Sequence, residues 1–280
     1  MGVFLALASS AMWGTSDFGG GLLAKRAYAV RVVFWSQVGG LLLMCGAMLV
    51  AIATGHTPTA GGWLIYGPIA GLAGCLGLCS FYAALSLGTM GVVSPIAALG
   101  AIVPVLLGVI SGERIGLLTG AGLTLALAGA ALASGPELSG AVGRLPIVLA
   151  VVAAFSFGTT LYLVHLASDS SVVGGLWAMR TASVSALGMA WLLWPGGIPG
   201  PALTRRLIPI TMLVGTGDLT ANALFAVASN SGAIAVVSVL GSLYPVMTLL
   251  LARGFLHERL RPIQLVGVAC AVAGVALAVT

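Results

Sequence analysis

The sequence reads GTMGVVS at positions 88–94 and GAIAVVS at positions 232–238, about 144 positions further along the chain. The same shift relates other parts of the chain, and one inserted residue extends the match to its end. A fixed internal period of this kind indicates a duplicated structural unit. The matched positions are Gly14-Thr15 with Gly158-Thr159, Phe81 with Phe225, Glu113-Arg114 with Glu258-Arg259, Gly122 with Gly267, and Gly129 with Gly274.

The composition restricts the chain to membrane proteins. Of its 280 residues, 60% are apolar and only 6% are charged, whereas a soluble domain is typically about one-quarter charged. A spanning helix needs roughly 20 apolar residues. The sequence therefore predicts an all-α polytopic membrane protein of ten transmembrane helices, without a sizeable domain outside the membrane.

Apolar runs broken at charges, prolines and glycine clusters give the boundaries of these helices. The repeat divides them into two units of five, residues 1–137 and 138–280. An odd number of spans per unit makes the second unit enter the membrane with the opposite orientation, as in many secondary transporters. The predicted spans are residues 3–23, 32–53, 63–87, 91–111, 115–134, 146–167, 172–194, 208–229, 233–252 and 262–279.

The paired halves, Trp13-Gly14-Thr15, and the ends Gly112-Glu113-Arg114 and His257-Glu258-Arg259 resemble the EamA family of the drug/metabolite transporter superfamily. The resemblance covers almost the whole chain. It implies a central cavity formed by spans one, three, four, six, eight and nine, with spans five and ten as an outer scaffold. Members of that superfamily export amino acids, sugars, nucleotide derivatives, cations and drugs, so the resemblance does not specify the substrate.

Charged residues inside spans are functional candidates because a charge at mid-bilayer costs at least ~2.5 kcal/mol. Three qualify: Asp17, Arg180 and Asp218. The two aspartates are predicted to bind substrate, and at least one to exchange a proton, since burial disfavours the charged form of a carboxylate. The alternative for either aspartate is a structural ion pair with Arg180, which touches no ligand.

Further residues are candidates for a substrate-binding wall. Trp13 lies one turn before Asp17, and Asn222 lies one turn after Asp218. Span six presents Phe155, Thr159 and Tyr162 at helical spacing, although ordinary packing is the alternative for any one ring. The remaining candidates are Tyr82, Ser238 and Ser242. Aromatic rings with hydroxyls and carboxylates suit an organic cation or a zwitterion.

These features favour a secondary transporter, expected to export a zwitterionic or cationic metabolite such as an amino acid or amine by alternating access, with possible proton or ion coupling. A multidrug, organic-cation or sugar-type transporter of the same fold is the alternative. An intramembrane enzyme or a channel is the alternative of a different class. The expected partners are a small-molecule substrate and the lipid bilayer, with no nucleic acid, no cofactor and no metal. A monomer is expected, with a homodimer as the alternative.

The basic residues predict the orientation and the location. Nine of the 11 Lys and Arg residues fall in odd-numbered loops, which the positive-inside rule places in the cytoplasm. Both termini are then outside a bacterial-type cytoplasmic membrane, whereas the family resemblance implies cytoplasmic termini. A carboxy-terminal alkaline phosphatase fusion is expected to be active and a green fluorescent protein fusion dark. The reverse pattern would overturn the charge-based orientation.

Overall fold

The structure is a computed structural model that describes residues 1–88, 90–133, 143–193, 202–256 and 261–279. The predicted all-α class is confirmed over these ranges, which contain helices and no strand. The Gly-Pro-Glu linker at 135–137 and the His257-Glu258-Arg259 motif lie outside them. The helices are α1 Gly2–Ala24, α2 Ala29–Ala53, α3 Trp63–Leu87, α4 Met90–Ala98, α5 Ile102–Ile110, α6 Leu117–Ala133, α7 Arg144–Ser168, α8 Val172–Leu193, α9 Ile208–Ser229, α10 Ile234–Gly241, α11 Tyr244–Leu256 and α12 Pro262–Val279, with 3₁₀ turns at Leu99–Ala101 and Arg205–Leu207.

Length and composition make most of these segments capable of crossing a membrane. Six described segments combine at least 18 residues with high mean hydropathy, and the helices at 117–133 and 262–278 are apolar but shorter. The helices α1 and α8 are long enough, at 23 and 22 residues, but they are not among the six segments of high mean hydropathy. They contain the charged residues Asp17 and Arg180. The protein is therefore an integral multi-pass membrane protein, and the exact number of spans stays a prediction.

Two predicted spans are interrupted at matching depth. The span at 91–111 is divided into α4 and α5 by the 3₁₀ turn at Leu99–Ala101, and the span at 233–252 is divided into α10 and α11 at residues 242–243. The chain carries Pro95 inside α4 and Pro104 inside α5, and Pro245 is the second residue of α11. Proline lacks an N–H and disrupts the regular hydrogen-bond ladder, which accounts for breaks in otherwise apolar runs.

Glycines bring the helices into backbone contact, which is the main way in which helices associate in lipid. A Cβ on Gly14 of α1 would lie 2.6 Å from the carbonyl oxygen of Tyr244, and a Cβ on Gly158 of α7 would clash with the carbonyl oxygen of Gly100. Each residue of the second contact lies 144 positions from its counterpart in the first. In the first contact the glycine belongs to the first half of the chain and the carbonyl to the second, and in the second contact this assignment is reversed.

The same exchange recurs elsewhere. A Cβ on Gly71 of α3 would clash with the backbone of Met179 in α8, and one on Gly215 of α9 would clash with the backbone of Ser36 in α2. In the pair formed by α6 and α12, a Cβ on any of four glycines would clash with the facing helix backbone: Gly122, Gly129, Gly267 and Gly274. Contacts that exchange partners in this way are typical of two units related by a two-fold axis.

Glu113 joins the end of one interrupted span to the start of the other. Its carboxylate accepts hydrogen bonds from the backbone N–H groups of Ile234 and Ala235, at 2.6 Å and 3.1 Å. A carboxylate in this position caps the first turn of α10 and is favoured by the helix dipole. Glu113 belongs to the repeated Glu-Arg motif, and the structure shows that its carboxylate holds the backbone of α10.

Gly215→Ala tests the close helix contacts. The added methyl would meet the Ser36 carbonyl, and because a backbone group cannot rotate away, α2 and α9 must separate. We expect the free energy of unfolding to fall by about 1–3 kcal/mol, measured as a lower melting temperature in detergent. Gly46→Ala is the matched control, because nothing lies within 4 Å of a Cβ there. Equal melting temperatures for the two variants would contradict the α2–α9 contact.

Candidate functional site: a polar cavity between the two halves

A cavity lies where the helices of the two halves meet. It contains about 710 Å³ of empty space, counting its open mouth, and every one of the eight predicted spans from one to four and six to nine contributes to its lining. Both helix breaks face it, through Gly100 and Ala101 on one side and Gly241, Ser242 and Tyr244 on the other. The family resemblance implied a central cavity, and this one also includes residues of spans two and seven, Gln37 and Arg180.

Arg180 lies at the centre of the polar part of this cavity. The residue is 2% exposed, and its Nη2 atom is 2.5 Å from Oδ2 of Asp218, which makes a buried salt bridge between α8 and α9. The other terminal nitrogen, Nη1, donates a hydrogen bond to Oε1 of Gln37 on α2. Arg180 therefore connects three helices, and it partners Asp218 rather than Asp17.

Asp17 faces the same cavity without such a partner. Its side chain is buried, with the residue 6% exposed, and within the described ranges it has neither an ion pair nor a hydrogen bond to its carboxylate. Arg180 neutralises Asp218, so the three charges that line the cavity leave one negative charge at Asp17. A buried charge without a partner is unfavourable, and the site is therefore suited to bind a positive group or a proton.

Aromatic and polar side chains surround these charges. Trp13 lines the cavity and packs on Phe225, with ring centroids 5.7 Å apart. The Nδ2 atom of Asn222 donates to the backbone oxygen of Asp218 at 2.7 Å, so the amide is held one turn from the salt bridge. The hydroxyl of Tyr244 is buried and has no hydrogen-bond partner among the described residues. A bound ligand can provide that partner.

The structure separates the predicted site residues into two groups. Trp13, Asp17, Asp218, Asn222 and Ser242 line the cavity together with Arg180. Their role in binding substrate stays a prediction.

The other four candidates lie outside the lining. Tyr82 is 1% exposed and its hydroxyl lies against Gly20 of α1, where a Cβ would clash with it. Ser238 is fully buried in α10, and its hydroxyl has no partner in the part of the chain described. Tyr162 is half-buried, with its hydroxyl 3.0 Å from Oγ of Ser111 at the end of α5. Thr159 is also half-buried, and its neighbour Thr160 lines the cavity instead.

The sequence therefore predicted the wrong face of span six for the cavity. Phe155 is 65% exposed on the outer surface, whereas Phe157, Thr160 and Leu161 line the cavity. Sequence reasoning missed Phe157, although the internal repeat contained the signal: Phe157 lies 144 positions after Trp13, so the two rings occupy equivalent positions.

Comparisons with known proteins agree with this architecture. The model of the EamA-like transporter family matches residues 1–135 and, a second time, residues 144–280. The chain belongs to the EamA-like transporter family. That family is part of the drug/metabolite transporter superfamily, and its members are membrane transporters rather than enzymes, so this EamA-like protein is a membrane transporter of a small molecule.

Solved structures agree on the fold. One of them, described only as "Crystal structure of protein", matches with a TM-score of 0.77 at 18% sequence identity, covering 99% of this chain and 96% of that one. At this identity the likeness concerns the fold alone. No curated protein matches the sequence significantly.

The Arg180–Asp218 pair should respond to substitution in a way that Asp17 does not. Asp218→Asn or Arg180→Gln alone leaves one buried charge without its partner, and each is expected to lower the free energy of unfolding by about 3–5 kcal/mol. The double variant should lose less than the sum of the two, because neither member of the pair is left without its partner. Asp17→Asn is the control and should leave thermal stability in detergent nearly unchanged. Additive losses in the double variant would contradict the pair.

Proposed function

We propose that this EamA-like protein is a secondary transporter that exports a small organic cation, or a zwitterion whose amine is protonated, in exchange for protons. The observation that carries the proposal is the carboxylate of Asp17, which faces a central cavity without a partner while the second carboxylate is neutralised by Arg180. A positive group on the substrate would compensate the charge of Asp17. The aromatic rings of Trp13 and Tyr244 line the same space and favour a cation over their faces.

Alternating access is supported by the arrangement of the two halves. The double family match and the exchanged glycine contacts favour two five-helix repeats, residues 1–137 and 138–280, related by a two-fold axis. Ten spans in two repeats of five would make the second repeat inverted. In transporters of that design, the substrate site lies near the midplane between the repeats, and rocking of one repeat against the other opens it to alternate sides.

Proton exchange follows from the difference between the two aspartates. Asp218 is paired with Arg180, whereas Asp17 is buried without a compensating cation and is the carboxylate to which the proposal assigns the exchanged proton. A cation that enters displaces that proton, and a returning proton displaces the cation. The proposal assigns coupling to Asp17 and a structural and electrostatic role to Asp218. The remaining expectations are a bacterial-type cytoplasmic membrane, extracytoplasmic termini and a monomer.

Transport into proteoliposomes tests the proposal. Tetramethylammonium is a suitable first probe because its permanent charge prevents passive leakage, and amino acids, sugars and larger organic cations complete the screen. An acidic lumen should accelerate uptake of the transported cation by the native protein. Asp17→Asn keeps the shape of the side chain and removes its titration, so transport should fall at least tenfold and the response to the pH gradient should disappear.

Two results would contradict this assignment. If Asp17→Asn folds and transports with an unaltered response to the pH gradient, Asp17 is not the coupling residue. If the native protein transports sugars or anions but no cation, the proposed substrate class is wrong. Gly46→Ala, on the outer part of α2, provides the control for protein amount and insertion.

A further inference from the structure

The internal repeat makes it possible to compare the two ends of the cavity position by position. Fourteen of the 22 residues that line the cavity form seven pairs 144 positions apart, as expected if the two-fold axis passes through it. In a symmetric cavity each pair would have the same chemistry. The pairs are Trp13 with Phe157, Asp17 with Leu161, Gly74 with Asp218, Leu78 with Asn222, Ala97 with Gly241, Ala98 with Ser242, and Gly100 with Tyr244.

The carboxylate and amide side chains in these pairs all belong to one pair of helices. Asp17 belongs to α1 and Asp218 and Asn222 belong to α9, and these two helices pack against each other. Their counterparts Leu161, Gly74 and Leu78 belong to α7 and α3, which form the equivalent packed pair. The Trp13–Phe157 pair keeps its aromatic character at both ends. The cavity is therefore divided into a charged end at α1 and α9 and a largely apolar end at α3 and α7, where the hydroxyl of Thr160 donates to the Ser156 carbonyl of its own helix.

We propose that the substrate is amphipathic, with its positive group at Asp17 and a hydrocarbon portion held between α3 and α7, and that Gly74 sets the length of the hydrocarbon accepted. This inference rests on the proposed function and specifies its substrate class further. Gly74 occupies the position equivalent to Asp218 and contributes no side chain, so the apolar end has space where the charged end has a carboxylate. Phe157 and Leu161 complete an apolar wall there.

The geometry at Gly74 allows that role to be tested without disrupting the fold. A Cβ on Gly74 would lie 3.4 Å from the side chain of Thr160, which is ordinary van der Waals contact. By contrast, Gly71 and Gly77 on the same helix have no room for a Cβ, since theirs would meet the backbone of Met179 and the ring of Phe157. Gly74→Ala therefore reduces the apolar end of the cavity while leaving the packing of α3 intact.

A series of permanently charged cations provides the measurement. Tetramethylammonium and its ethyl, butyl and hexyl analogues, in which one methyl is replaced by the longer chain, share one head group and differ only in hydrocarbon length. Their affinities are measured in detergent by competition with radiolabelled tetramethylammonium. For the native protein, affinity should rise about threefold to fourfold per methylene buried until the apolar end is filled. In Gly74→Ala, affinity should stop rising at a shorter hydrocarbon chain than in the native protein. Affinity for tetramethylammonium should stay within about twofold of the native value.

Three variants complete the design. Leu161→Ala enlarges the apolar end of the cavity, so affinity should continue to rise at longer hydrocarbon chains than in the native protein. Gly188→Ala on α8, where a Cβ would lie 3.9 Å from Phe34 and away from the cavity lining, is the matched control and should reproduce the native series. Asp17→Asn should weaken binding of every member by a similar factor, because all share the head group.

The outcomes distinguish this inference from the function on which it rests. If tetramethylammonium binds and depends on Asp17 but affinity does not rise with chain length, the apolar subsite is wrong. If affinity rises with chain length but Gly74→Ala and Leu161→Ala both follow the native series, the hydrocarbon lies elsewhere and the role of Gly74 is wrong. If no member of the series binds, the proposed cation specificity fails, and the apolar subsite argued from it fails too.

Discussion

The salt bridge between Arg180 and Asp218 is the interaction on which the rest of the site depends. A guanidinium inside an apolar bundle needs carboxylates and amides as partners. Here Asp218 on α9 and Gln37 on α2 accept from its two terminal nitrogens, while Nε has no partner among the described residues. The salt bridge and the hydrogen bond to Gln37 fix α8 against α9 and α2. The salt bridge also determines which carboxylate remains available, because a cation that is held by Asp218 cannot neutralise Asp17. The pairing of Arg180 with Asp218 therefore explains why Asp17 is the carboxylate left without a partner in the cavity.

Duplication explains the shape of the cavity, and divergence of the two halves explains its polarity. Backbone contacts at Gly14 and Gly158 place α1 and α7 in equivalent positions, so each half contributes an aromatic residue at the same depth, Trp13 and Phe157. The functional difference arises one turn further on, where one half has Asp17 and the other has Leu161. In the proposed transport cycle, the symmetric frame would provide two alternating openings, and the asymmetric side chains would give the ligand a single preferred orientation.

Particular residues show how far sequence reasoning reached. Helix positions could be predicted closely, because a membrane helix must be apolar over a length fixed by the bilayer: the span predicted at 208–229 is α9, and the span predicted at 63–87 is α3. The rotation of span six could not be predicted from hydropathy, because a helix that is apolar all round carries no amphipathic signal. The face chosen from Phe155, Thr159 and Tyr162 was wrong for that reason.

Other features depend on distances that a sequence does not contain. The partner of Arg180 could not be chosen between Asp17 and Asp218, since both carboxylates lie on helices that line one cavity. Glu113 stands out in the sequence as part of a repeated motif, but the helix that it caps begins 121 positions later in the chain. Contacts between residues far apart in the chain are set by tertiary packing. In this sequence, the internal repeat was the feature that carried information about tertiary packing.

The break between α10 and α11 lies at the cavity, beside the residues proposed to bind the ligand. Around it, the N–H of Leu243 bonds to the carbonyl of Leu240 and the N–H of Val246 to that of Leu243, at 3.3 Å and 2.9 Å. These are short three-residue turns, so the break leaves these donors satisfied, although such bonds have poorer geometry than those of an α-helix. Ser242 and Tyr244 line the cavity at this point. The substrate proposed to bind at Asp17 would contact this irregular part of the span. If that contact differed between two arrangements of α10 and α11, the substrate would change their relative stability.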